Sequence, residues 1–156
     1  MSGTTLDRID RAIVAALQND ARLPNNALAA EVGVAPSTCL ERVRALRRRG
    51  VIRGFHAQVA LEALSRGLEA IVAVRVRAHA RNLVEEFRAH ALALPEVVQV
   101  FHVTGADDFL LHVAVRDTDA LRDFVLDRLA GRPEVGHVET RVVYEHTQRP
   151  VLEPLG

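Results

Sequence analysis

An α+β protein in two parts is what this sequence predicts: a helix-turn-helix in front and a four-stranded sheet with two helices behind it. Three observations carry that expectation. Residues 24–50, PNNALAAEVGVAPSTCLERVRALRRRG, place two runs of helical spacing on either side of a glycine. From residue 71 onward, Val-rich alternating segments and amphipathic runs follow the order β-α-β-β-α-β, the split βαβ unit of ferredoxin-like sheets. Charge divides at the same place: residues 1–60 hold nine arginines against five acids, and the remainder holds eleven against fifteen. A basic front and an acidic back mark two modules with different partners.

The bulk composition narrows the class further. The 156 residues carry no formal net charge and are 49% apolar, so a packed core is expected and disorder is not. No apolar run reaches the roughly 18–20 residues needed to cross a bilayer. The opening MSGTTLDRID lacks the basic-then-apolar order of a secretory signal. The expectation is therefore a cytoplasmic protein without a membrane partner. A single cysteine, Cys39, excludes an internal disulfide framework, and neither cofactor nor metal is expected. There is no lysine, so every positive side chain is an arginine, always ionised and able to grip phosphate through two N–H groups. A bias toward arginine codons accounts for most of that substitution, though not for where the arginines stand.

Each element has its own signal. Leu6, Ile9, Ile13 and Leu17 repeat at helical spacing, with Thr5 as expected N-cap and Asp20 and Leu23-Pro24 as the stop. Asn25 or Asn26 is expected to cap a second helix with Leu28, Ala29 and Val32 on its inner face. Gly33 supplies the turn. Pro36 sits in the first turn of helix three, where proline is tolerated. Cys39, Val43 and Leu46 form its buried stripe, and Gly50 ends it. Residues 51–59 read as a short extended wing, which closes a first domain at residue 60. Residues 61–70 read as a hinge, helical or turn-like, before a second domain over 71–156. In that domain strands are expected at about 71–78, 97–104, 108–116 and 137–145, and helices at about 81–93 and 118–130. Leu83, Phe87, Ala91 and Leu94 mark the buried side of the first helix. Leu121, Phe124, Val125 and Leu129 mark that of the second. Two helices on one face leave the other face of the sheet open, and a second copy of the chain is the simplest cover for it.

Helix three carries the most specific pattern. With Val43 at the centre of its buried face, Ser37, Thr38, Glu41, Arg44, Ala45 and Arg48 turn to the opposite side. Such a face suits the major groove of double-stranded DNA. Ser37 and Thr38 would meet phosphate or base edges at the helix N-terminus. Arg44 and Arg48 would fork onto guanine or backbone, and Glu41 would accept from cytosine. Arg42, Arg47 and Arg49 flank the seam and touch phosphates or make internal ion pairs. Arg53 adds a charge on the wing.

At this point a resemblance becomes specific. LDRIDRAIVAALQNDAR followed by LAAEVGVAPSTCLERVRALRRRGVIRGF resembles the feast/famine regulators, the Lrp/AsnC family. VTGADDFLLHVAVRD resembles that family's strand-loop-strand signature, and VETRVVYEHTQRP its final strand and tail. The likeness runs over residues 5–150. It implies a winged helix-turn-helix hinged to an ACT-like βαββαβ sandwich, in a transcriptional regulator. It also implies homodimers that assemble further, often to octamers, and an amino acid or related small molecule bound between dimers.

The resemblance also locates an effector site. Read alone, Gly105-Ala106-Asp107-Asp108 is a hairpin turn. Its glycine permits the turn and exposes amides to a carboxylate. Asp107 and Asp108 are suited to an ammonium group. The family match places effectors against this loop, from Thr104 to Asp108, and against the start of the last strand. There Thr140 matches a threonine near the ligand, with Gly136 and Val138 shaping the pocket's side. The identity of the effector is left open.

The remaining residues take blander readings. Cys39 is a small core residue. His102 and His112, in adjacent strands and facing the same way, read as sheet-face or interface histidines, and two such ligands without a third donor make no metal site. No serine-histidine-aspartate order, P-loop or Rossmann glycine pattern is present, so no enzyme is expected. An alternative is a metabolite-binding ACT-like oligomer without DNA binding. The polar outer face of helix three separates the two, because an assembly surface there would be apolar.

Overall fold

The computed structural model describes residues 5–77 and 81–155, and it divides them into two compact units. The first comprises the described residues up to Gln58 together with those from Thr147 on, and the second runs from Val59 to His146.

The first unit is built on helices α1 (Arg8–Asn19), α2 (Asn25–Val32) and α3 (Pro36–Arg48). Their apolar stripes meet in a core of Ile13, Ala16, Leu28, Ala29, Val32, Cys39 and Leu46, with Val43 packed at its margin. The cap of α1 is Asp7 and not Thr5: its carboxylate accepts the Asp10 N–H at 2.7 Å. Neither expected asparagine caps α2. Pro24 holds the cap position without a side-chain bond, and Asn25 Nδ2 donates to the Pro36 carbonyl at 2.9 Å, tying the start of α2 to that of α3. Gly33 ends α2 at φ +74°, in the left-handed region, and the Val34 N–H closes the turn on the Ala29 carbonyl at 3.0 Å. The segment after α3 carries no strand over 51–60; the Val51 and Ile52 N–H groups close on the Leu46 carbonyl, and the expected wing forms no strand pairing in the single chain. The tail returns to α1. Gln18 both donates to the Leu152 carbonyl (3.1 Å) and accepts its N–H (3.0 Å). That contact assigns the tail to the helical unit, whereas the sequence pattern had placed it with the sheet domain.

The second unit begins with a 3-10 turn at Leu61–Leu64, followed by β1 (Leu68–Val76), α4 (Arg81–Ala93), β2 (Val97–His102) and β3 (Phe109–Val115). Then come α5 (Thr118–Asp123), a π-helical segment (Phe124–Ala130) and β4 (Val135–Val142). The order β-α-β-β-α-β stands as expected. Strand β1 starts three residues earlier than the Val pattern indicated, and residue 78 of the expected strand lies outside the described residues. The four strands are antiparallel in the order β2-β3-β1-β4.

Alternation along β1 sends Ala70, Val72, Val74 and Val76 into a core with Phe87, Ala91, Phe109, Leu111, Val113, Phe124 and Leu129. Phe87 of α4 and Phe109 of β3 pack at 4.9 Å between ring centroids. The helix expected over 118–130 changes character at Phe124 for a packing reason. Phe124 and Leu129 are five residues apart, and an i→i+5 turn brings both inward where an ordinary turn would deliver Arg128. Ile71, Ala73, Leu110, His112, Gln99 and Phe101 lie on the other face by register. Both helices of this unit pack on the first face, through Phe87, Ala91, Leu121, Phe124 and Leu129.

Candidate functional site

The outer face of α3 is assembled by the same periodicity that buries Cys39 and Leu46. Ser37, Thr38, Glu41, Arg44, Arg47 and Arg48 are exposed. Thr38, Glu41, Arg42, Arg44, Ala45 and Arg48 line one open groove. Among the described residues, Arg44, Arg47 and Arg48 take part in no ion pair, so the groove offers uncompensated guanidinium groups. Arg53 is likewise exposed, beyond the end of α3.

Arg42 differs. Its Nη1 lies 2.6 Å from Asp7 and 2.8 Å from Asp10 of α1. Arg49 also reaches Asp10, at 3.2 Å, and donates to the Thr5 carbonyl. These two arginines bind α3 to α1 and set the tilt of the groove. The Asp7 carboxyl is held below the usual range first by the Asp10 N–H and then by Arg42, while the bonds to Asp7 and Asp10 raise the guanidinium. Burial pushes the Cys39 thiol up, which suits a core side chain and not a nucleophile.

In the second unit, Thr104 to Asp108 form the β2–β3 hairpin. Gly105 adopts φ +124°, which strains any residue with a side chain. The two aspartates have different roles. Asp108 accepts the Val76 N–H at 2.8 Å, and its backbone N–H donates to Val74, which fastens the hairpin to β1. Asp107 is half-buried and has no hydrogen-bond partner among the described residues. Arg75, which the sequence did not single out, donates from Nε to the Ala106 carbonyl at 2.6 Å.

Gly136 of β4 lies against the same end of β1, where an added Cβ would approach the Arg77 side chain at 3.1 Å and the Arg75 carbonyl at 3.4 Å. Gly136 and the hairpin therefore flank residues 75–77 from opposite sides. Val138 pairs with Val74 and packs on the core. Thr140 is roughly 13 Å farther along the strand from Gly136 at ~3.3 Å per residue, lining a groove with Thr118, Leu121, Arg122, Val125 and Leu126. One chain does not bring Thr140 to the hairpin.

The two histidines face opposite ways, not the same way. His102 stacks on Phe109 at 4.8 Å. His112 emerges on the other face, where Glu69 and His146 meet it. Nothing in the spacing signals that meeting, since the three residues come from separate segments.

A small helical unit with a basic, open helix face, joined to a separate sheet unit, is the architecture of a helix-turn-helix DNA-binding protein with a second module. Residues 6–47 match the family described as AsnC-type helix-turn-helix domain, and residues 69–151 match the Lrp/AsnC ligand binding domain. The chain belongs to the Lrp/AsnC family of transcriptional regulators. It is 47% identical over 141 residues to the HTH-type transcriptional regulator AldR of Mycolicibacterium smegmatis, a match covering 90% of this chain and 82% of that protein. It is 36% identical to the leucine-responsive regulatory protein of Escherichia coli K12, over 94% of this chain and 90% of the other. A transcriptional regulator of Neisseria meningitidis, solved as a complex with L-Met, aligns with a TM-score of 0.86 at 34% identity, over 93% of this chain and 94% of that one. The protein is thus a DNA-binding transcriptional regulator with a ligand-binding domain, and a module without DNA binding is set aside. No helix among the described residues is long and apolar enough to cross a membrane.

Proposed function

We propose that this regulator is cytoplasmic, reads DNA with the outer face of α3, and answers to an amino acid held at the β2–β3 hairpin of an oligomer. The observation that carries the DNA reading is the division of the α3 arginines. Arg44 and Arg48 face an open groove without ion-pair partners among the described residues, while Arg42 and Arg49 are spent on α1. Ser37, Thr38 and Glu41 complete the base-facing edge. Arg47 and Arg53 supply phosphate contacts, which give affinity without sequence choice.

The effector reading rests on the Gly105 backbone, on Asp107, which no hydrogen bond engages among the described residues, and on the L-Met complex of the Neisseria relative. Asp107 takes the ammonium group, while Asp108 keeps the hairpin in place. Thr104, Ala106, Gly136, Val138 and Thr140 bound the remainder, and Thr140 joins the site from another copy. Oligomers form through the open sheet face, where Ile71, Leu110 and Phe101 supply apolar area. A dimer assembling further, to an octamer, follows the family pattern. Catalysis has no place in this reading.

The direct test is a mobility shift against the DNA upstream of the protein's own gene, repeated over a salt series. Retardation should be selective for that DNA and weaken steeply with salt. Absence of retardation at low salt, or equal retardation of every DNA, counts against the assignment. For the effector, Asp107→Asn should weaken an amino-acid response at least tenfold without lowering the melting temperature. An unchanged response would move the pocket elsewhere.

A further inference from the structure

The open face of the sheet carries a donor set that neither DNA reading nor the effector hairpin uses. Glu69 of β1, His112 of β3 and His146, which follows β4, each point one ligand atom at a common spot, and those atoms lie within 4.8 Å of one another. His112 Nε2 stands 2.6 Å from Glu69 Oε2, and His146 Nδ1 stands 3.6 Å from that same oxygen. The imidazoles meet edge to face at 5.2 Å. We infer that Glu69, His112 and His146 form a site for a divalent transition-metal ion of the zinc class.

Four features of the cluster suit such an ion. First, two imidazoles and a carboxylate form a three-ligand zinc set that leaves one coordination position open. Second, the mixture of two nitrogens and one oxygen selects zinc-type ions over magnesium and calcium, which demand oxygen shells. Third, the geometry lies within reach. Tetrahedral bonds of about 2.0–2.2 Å place donors about 3.4 Å apart, and the half-exposed His146 side chain can close the difference by rotation. The close Glu69–His112 pair would open slightly to admit the ion. Fourth, His112 is 5% exposed and locked by its place in β3, so one donor is preorganised, while His146 gives the ion a way in.

The fourth position faces a cavity of ≈ 340 Å³ lined in part by Ile71, Gln99, Phe101 and Val143. Water fits there, since Glu145 also lines the cavity and its carboxylate offsets the single positive charge that a divalent ion with one carboxylate and two imidazoles would keep. The bound ion would cross-link β1, β3 and the segment that leaves β4. Its three ligands come from one chain, and the second copy proposed for this sheet face would close over the cavity beside them.

Titration of metal-stripped, full-length protein with zinc chloride in a calorimeter tests this. One zinc ion per chain should bind at pH 7.5, and magnesium chloride should give no heat of binding. His146→Ala and Glu69→Gln should each weaken zinc at least tenfold. His146 is half-exposed, so that variant should melt like the parent in the absence of metal, which separates loss of a ligand from loss of fold. His137→Ala, outside the cluster, should bind zinc normally. No saturable zinc binding overturns the assignment. So does unchanged affinity in both His146→Ala and Glu69→Gln, or loss of binding in His137→Ala.

Discussion

Two sets of arginines share one short helix and do opposite things. Arg42 and Arg49 are seven residues apart, two turns, and both reach Asp10 of α1. Arg44 and Arg48 are four apart on the outer side and enter no ion pair among the described residues. The residue type is the same; helical phase decides the role. An arginine facing its own fold is neutralised and stiffens it, whereas one turned to the outer side keeps its charge uncompensated among the described residues. Counting arginines would have overestimated the DNA-binding charge of α3.

The sharpest way to test that division is to remove one set at a time. Arg44→Ala with Arg48→Ala should weaken specific DNA binding about thirtyfold, taking each lost contact at the low end of about 1–3 kcal/mol. Its melting temperature should match the parent. The salt slope should also shrink if either arginine sits on phosphate. Fluorescence anisotropy over a salt series reads both quantities. A variant that binds as before would show that the groove on α3 is not the reading edge.

The inner set predicts the reverse pattern. Asp10→Ala strips Arg42 and Arg49 of their shared partner and empties a nearly buried position. The helical unit should melt several degrees lower. DNA affinity measured well below that transition should change less than in the outer-face variant. Comparable loss of affinity without any loss of stability would place Arg42 on DNA and erase the contrast.

A smaller effect is expected where the path between the helices is set. Gly33 has open space around a would-be Cβ, but its φ of +74° is the difficulty. Gly33→Ala should cost about 1 kcal/mol, a drop of roughly 4–8 °C for a unit of this size. Thermal unfolding followed by circular dichroism measures it. A smaller drop would show that the turn relaxes, and that the α2–α3 angle is held by the Asn25–Pro36 bond and the core.

The legibility of the chain follows how local each interaction is. Helical spacing was enough to find α1, α2 and α3, to bury Cys39 and Leu46, and to pick out Arg44 and Arg48. Strand alternation and turn residues placed the βαββαβ order. What spacing missed depends on tertiary partners. Asp7 replaces Thr5 as the cap in a place where it also meets Arg42. The tail over 147–155 packs with α1 through Gln18, which no pattern near residue 150 announces. Asp107 and Asp108 are neighbours with different fates, separable only once β1 is known to pass beside the hairpin. The Glu69–His112–His146 cluster needs the β1–β3 register before its members can be seen together.

The smallest effect tests the capping end of the inner set through pH. The folded-state pKa of Asp7 is depressed, by the Asp10 N–H first and Arg42 second. A depressed carboxylate adds stability that is fully present above its unfolded pKa, about 3.9, and is lost as the pH falls through the folded value. The melting temperature of the helical unit should therefore carry an Asp7 contribution at neutral pH that disappears in the acid range below about 4. Asn caps a helix as well as Asp does, so Asp7→Asn keeps the cap and removes only the charge. The variant should be slightly less stable than the parent at pH 7, and the two curves should converge as the pH drops toward 3. The side chain is half-exposed, so the gap should be small and should narrow further in high salt. Curves that stay parallel across the range would mean that Arg42 is held by Asp10 alone, and that the outer and inner arginines differ by one carboxylate and not by two.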